Sequence, residues 1–195
     1  MPSADNNLEE KIIDGFERLS ALLKHQMWLK AFPLKLNPIQ LSIVRFLYNN
    51  SSQNITQSFL AEQLFVTKAT LSDSVKTLKN KDLLELKKNP EDTRSSFLVL
   101  TKLGVVLAKD LDNYSEELTG AFTCFKEKEK KEFYSYMLRF LAELNDMDLI
   151  PVQRLCFTCK YYDGDRNEKH LCNLLNKRLN AKDLQINCAE HEELN

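Results

Sequence analysis

The stretch LAEQLFVTKATLSDSVKTLKNKDLLELKKNPEDTRSSFLVL (residues 60–100) joins two different periodicities end to end. In its first half, Leu71, Val75 and Leu78 recur at i, i+4 and i+7, the stripe of an amphipathic helix, with Thr67 placed as its N-cap. In its second half, two short alternating or apolar runs flank Asn89-Pro90-Glu91-Asp92, which predicts a β-hairpin. Upstream, Leu60 and Leu64 mark a short helix from about Thr56. Ile39, Ile43, Phe46 and Leu47 mark another that ends in the polar run 49–52. Pro33 and Pro38 punctuate the chain before it, and Ile12, Phe16, Leu19 and Leu23 stripe a helix over 7–31. Downstream, Thr101 caps a helix expected to reach about residue 123, with Leu103, Leu107 and Leu111 on one side. A further helix is expected over about 127–145, with Phe133, Met137, Phe140, Leu141 and Leu144.

Helix, short connection, helix and two-stranded wing is the winged helix-turn-helix order. The fold class predicted is mainly α with a small β-hairpin wing, long helices on either side and a small cysteine-rich C-terminal lobe. Domain bounds are expected at 1–35, 36–102, 103–147 and 148–195. The second helix of such a pair is narrow enough to enter a DNA major groove, and the hairpin can touch the flanking backbone or minor groove. Thr67, Lys68, Thr70, Ser72 and Lys76 lie off the Leu71/Val75/Leu78 face and are short or basic, as phosphate and base-edge contacts require. Charge distribution agrees: residues 66–102 carry eight basic against five acidic side chains, net +3, while 103–147 carry six against nine, net −3. A solvated face and a simple packing role explain the same pattern, so the residues alone leave both open.

The segments LNPIQLSIVRFL (36–47), ITQSFLAEQLFVTKATLSDSVKTLKNKDLLEL (55–86), Asp92-Thr93-Arg94 and LVLTKLG (98–104) together resemble the MarR family of regulators. That resemblance implies a homodimer with interlocked outer helices, 1–35 and 103–147, and two winged domains reading a pseudo-palindromic duplex. It also implies that Arg94 reaches the minor groove, where negative potential favours arginine, and that Asp92 orients the basic side chains near it. A departure is the short wing, which holds Pro90 and Glu91 where relatives often carry arginine.

The tail after Pro151 falls outside that family pattern and carries four of the five cysteines, Cys156-x2-Cys159-x12-Cys172-x15-Cys188. A Cys-x2-Cys pair places two thiolates on one tight turn, and two more cysteines complete four-fold sulfur ligation. Structural zinc sites usually pair two such knuckles, whereas only one exists here. Iron–sulfur clusters accept single cysteines from separate loops. An iron–sulfur cluster bound by Cys156, Cys159, Cys172 and Cys188 is the reading preferred, with zinc at the same four residues as the alternative and a thiol switch as a third. His170 and His191 stand near enough in sequence to substitute for a cysteine. Cys124, in a helical stretch, reads as a buried small hydrophobe.

Composition bounds the rest. Hydrophobic content of 43% with 28% charged residues is that of a globular chain, and four glycines with five prolines favour long helices. The N-terminal segment lacks the basic-then-apolar order of a secretory signal, and no apolar run is long enough to span a bilayer. The expectation is a cytoplasmic protein with reduced thiols and no membrane partner. A Gly-rich phosphate loop, a nucleophile elbow and His-Glu-x-x-His are all absent from the sequence, so an enzyme is not expected. A different signal, a small aromatic ligand lodged near Trp28, Phe32 and Phe46, remains open at this level.

Overall fold

The computed structural model describes residues 7–51, 53–90, 94–111 and 116–193, which fall into two compact units, Met1–Ser115 and Glu116–Asn195. In the first unit, α1 (Leu8–Ala31) leads through a short 3-10 turn into α2 (Pro38–Asn49). Pro38 sits at the first position of α2, and Asn37 and Gln40 cap it reciprocally through contacts of 2.9 and 3.0 Å. Thr56 caps α3 (Gln57–Gln63) and Thr67 caps α4 (Lys68–Asn80). The wing follows as β1 (Leu84–Lys88) and β2 (Ser96–Leu100), antiparallel from Leu84↔Leu100 to Lys88↔Ser96. A third chain segment joins its base, since the Leu98 amide donates to the Ile55 carbonyl and Thr56 bridges Phe97.

One core serves all of these elements. Leu41, Ile43 and Val44 of α2, Leu60 of α3, Leu71, Val75 and Leu78 of α4, and Leu84 and Leu98 of the wing are buried together. The predicted helical stripes therefore meet as anticipated. The helix capped by Thr101, α5 (Lys102–Leu111), differs in the face it buries: Gly104, Ala108 and Leu111 face inward, and Leu103 is exposed. Close approach explains the difference. A Cβ added at Gly104 would overlap the Leu83 carbonyl, so only glycine lets α5 lie this near β1. Thr101 locks the junction, donating through Oγ1 to the Asp82 carbonyl at 2.5 Å and accepting from the Gly104 amide at 3.1 Å.

The second unit begins with α6 (Glu116–Ala121) and a 3-10 turn over Phe122–Cys124. The helix expected through residue 123 is thus helical at both ends, and residues 112–115 lie outside the described residues. Cys124 corrects an expectation, because it is exposed rather than buried: the turn carries it off any packed face. Helix α7 (Glu127–Asp146) is followed by a small three-stranded sheet ordered β3 (Tyr162–Gly164), β4 (His170–Cys172) and β5 (Lys177–Arg178). Leu138 and Ala142 of α7 form one core with Leu155, Phe157 and Leu184, so the cysteine-bearing tail and α7 are a single folded body. The tail covers the face of α7 that carries Tyr134, Leu138, Leu141 and Ala142. Phe133 and Phe140, on another face, stay exposed in the single chain.

Replacing Gly104 with Ala should destabilise the winged unit by roughly 1–3 kcal/mol, the usual result of forcing atoms into a packed contact. At Gly15, in the middle of α1, an added Cβ meets nothing within 4 Å. Gly15→Ala should therefore stabilise the protein by about 0.5–1 kcal/mol through helix propensity. Urea unfolding of both variants measures the contrast, and equal effects would contradict the packing described.

Candidate nucleic-acid interface and cysteine pocket

The α4 helix owes its start to Thr67, whose Oγ1 accepts from the Thr70 amide at 3.1 Å and lies 2.8 Å from Thr70 Oγ1. Two of the residues predicted to contact DNA therefore also build the cap. Lys68, Ser72 and Lys76 are exposed and spaced four apart, so they form one row down the outer side of α4. That row lies opposite the buried Leu71, Ser74, Val75 and Leu78. The uncapped amides at the N-terminus of α4 add positive potential beside Lys68. Arg94 is exposed, two residues before β2, and Asp92 lies outside the described residues. Strand β1 exposes Lys87 and Lys88, which sequence reasoning did not single out although their segment carried the basic excess. Glu85 pairs with Lys87 at 3.7 Å, but both are solvent-exposed and such a pair contributes little.

In the second unit all four tail cysteines come together. Cys156 opens a 3-10 turn over Cys156–Thr158, and the Cys159 amide closes it on the Cys156 carbonyl at 3.2 Å. Cys172 ends β4, in register with Tyr162 on one side and Lys177 on the other. Cys188 is placed by its amide, which donates to the Arg154 carbonyl at 3.0 Å. These residues line one open-sided pocket of about 400 Å³, counting the solvent at its mouth. Tyr162, Leu174, Leu175 and Leu179 supply apolar wall, and Tyr161 and Glu190 complete the lining. Leu179 and Glu190 were not anticipated: one follows a hairpin and the other a cysteine, and spacing alone does not reveal a pocket wall. Among the described residues, no three His, Cys, Asp or Glu side chains are grouped as ligands of one metal ion.

Electrostatics and hydrogen bonds mark Cys156 as the centre of this group. Burial pushes its thiol above the ordinary range, and the neighbouring Cys188, Cys159 and Cys172 push the same way. The Gln185 amide opposes them by donating to Cys156 Sγ at 3.2 Å. Four thiols this close cannot all ionise without a cation to balance them. Arg166 ties the Cys-x2-Cys turn to α7, with Nη1 on Asp146 Oδ2 at 2.5 Å and Nη2 donating to the Phe157 carbonyl at 3.1 Å. Tyr134 of α7 adds a bond from its hydroxyl to the Leu184 carbonyl at 2.9 Å.

Neither nearby histidine lines the pocket. His170 Nδ1 lies 2.7 Å from the Tyr162 hydroxyl, with its ring stacked on Phe157. His191 Nε2 lies 3.0 Å from Thr158 Oγ1, and burial holds its imidazole below the ordinary value. Of the aromatic residues considered for a small ligand, Phe46 packs edge-on to Phe59 against the core, while Trp28 and Phe32 meet at a tilt of 31° on exposed surface.

With this geometry in hand, the chain can be compared with known proteins. A family model described as the MarR family matches residues 34–95. The HTH-type transcriptional regulator MhqR of Bacillus subtilis is 25% identical over 95 residues, 48% of this chain and 64% of MhqR. The chain thus spans slightly under two thirds of that relative's length. Staphylococcus aureus MepR in its DNA-binding conformation superposes with a TM-score of 0.59 at 22% identity, over 66% of this chain and 95% of MepR. A MarR protein from Peptoclostridium difficile gives 0.63 at 19% identity, over 75% and 93%. The family match and the shared fold agree: residues 34–95 are similar to the MarR family, and the chain has the winged helix-turn-helix fold of these solved structures.

Proposed function

We propose that the protein is a homodimeric, DNA-binding transcription regulator of the cytoplasm whose C-terminal unit holds an iron–sulfur cluster and reads redox state or iron supply. The observation that carries the metal half is that Cys156, Cys159, Cys172 and Cys188, from four separate positions in the tail, line one pocket. A lone zinc ion needs every sulfur about 2.3 Å from one point. A cluster takes its thiolates on two or more irons, one each in a cubane and two per iron in a rhombic cluster, so single cysteines from separate loops serve it. The lone Cys-x2-Cys knuckle and the apolar wall favour the cluster, and zinc at the same four residues is the alternative.

The DNA half is supported by the exposed row Lys68, Ser72 and Lys76, by Thr67 and Thr70 at the helix start, and by Arg94 beside the wing. A solved structure of S. aureus MepR is a DNA complex, and this chain shares its fold with a TM-score of 0.59. Dimerisation is supported by α1, where Leu8, Ile12, Leu19 and Leu23 are exposed along 24 residues and only Ala31 is buried. A helix of that length with an uncovered apolar stripe needs a partner surface. No helix among the described residues is long and apolar enough to cross a membrane.

Purified protein should select a common pseudo-palindromic sequence from a random duplex library. Arg94→Ala should weaken binding to every duplex and lower the slope of log affinity against log salt by about one. Ser72→Ala should instead alter preference among sequences. Failure to select any sequence, in both metal-loaded and metal-free states, would refute the DNA reading.

Ile12→Glu with Leu19→Glu should convert the dimer to monomer or to unstable protein by sedimentation. A folded monomer at micromolar concentration for the unaltered chain would contradict the dimer.

Protein purified without oxygen should be brown and contain iron and inorganic sulfide in comparable amounts. Replacing any of the four cysteines with Ala should bleach it, and Cys124→Ala should not. Colourless protein with one zinc per chain would replace the cluster with the alternative.

A further inference from the structure

The turn between β4 and β5 has an unusual composition. Residues 173–176 read Asn-Leu-Leu-Asn and join the paired positions Cys172 and Lys177. Surface turns favour Gly, Asn, Asp, Ser and Pro, and Asn176 obeys the rule by taking the left-handed conformation at φ 46°. Leu174 and Leu175 break it. They are 44% and 63% exposed, yet both line the cysteine pocket directly after the ligand candidate Cys172. Exposing large apolar side chains on a tight turn is unfavourable unless they cover something.

The pocket is also asymmetric. Behind it lie Cys159, at 7% exposure, and the sealed core of Leu155, Phe157 and Leu184. Leu174 and Leu175 are the exposed apolar side chains of its lining. An entering molecule therefore meets an apolar wall. The apolar shell around a metal site controls access of solvent and tunes the reactivity of what it encloses.

Resting on the cluster reading above, we propose that Leu174 and Leu175 form the gate over the cluster and that the species the site senses is a small, neutral, diffusible oxidant of the dioxygen class. Water and ions are disfavoured by the leucines, while dioxygen dissolves in apolar surroundings and carries no charge. A cluster held by Cys156, Cys159, Cys172 and Cys188 would supply the one electron that converts dioxygen to superoxide, and the oxidised cluster would lose visible absorbance as it gives up iron. The leucines set how often that encounter occurs.

The test compares unaltered protein, Leu174→Ser/Leu175→Ser and Leu174→Met/Leu175→Met, each loaded with iron and sulfide without oxygen. The anaerobic spectrum and iron content of each are recorded first, and bleaching rates are compared per loaded cluster, so that any change in loading is separated from a change in access. On mixing with air-saturated buffer, the serine variant should lose visible absorbance about tenfold faster, and the methionine variant should keep the original rate. Loaded variants that bleach in air at equal rates would overturn the gate while leaving the cluster reading intact. An unaltered protein that takes up no iron and sulfide would overturn the cluster reading, and the gate with it.

Discussion

The seam between α7 and the C-terminal tail is the contact on which the candidate site depends. Leu138 and Ala142 meet Leu155, Phe157 and Leu184, all at most 2% exposed. Burying such side chains contributes roughly 1.5–3 kcal/mol each for the larger ones, enough to fix a tail whose strands are only two or three residues long. Polar tethers then set orientation: Tyr134 on the Leu184 carbonyl and Arg166 between Asp146 and the Phe157 carbonyl. Phe157 and Leu155 flank Cys156, so the seam positions the Cys-x2-Cys turn directly. The pocket walls are thereby placed by packing.

A different balance governs the winged unit. Its helices are set by caps and by one core, and its surface is left to short and basic side chains on α4 and the wing. Thr67 and Thr70 serve both ends, closing the helix start while standing at its most electropositive point. The same economy appears at Gly104, where the missing Cβ lets α5 rest on the base of β1. These are fold requirements, and they hold the outer row of α4 in position for a groove.

Much of this was legible in the sequence because the signals were local. The i, i+4, i+7 spacing of Leu71, Val75 and Leu78, the caps at Thr67 and Thr101, and the hairpin around residues 89–92 each rest on neighbouring residues. The clustering of Cys156, Cys159, Cys172 and Cys188 was legible from count and spacing. Spacing alone does not say which apolar residues the tail takes. Helix α7 has two apolar faces, and only the fold of the tail shows that it covers Leu138 and Ala142 and leaves Phe133 and Phe140 exposed on the single chain. Gly104 looked like part of a motif, yet its role is a close contact with a residue 21 positions away. Cys124 misled for a similar reason, since helical context suggested burial and the local 3-10 turn exposed it. Leu174 and Leu175 were visible as apolar neighbours of Cys172, but their exposure on a turn belongs to the structure.

Native mass spectrometry of the full chain, purified and sprayed without oxygen, measures the central claim most directly. Four thiols around one pocket predict an adduct of iron and inorganic sulfide in equal number on each chain, lost when any one of Cys156, Cys159, Cys172 or Cys188 is replaced. A chain that carries a single zinc ion, or that stays free of metal after loading with iron and sulfide, would contradict it.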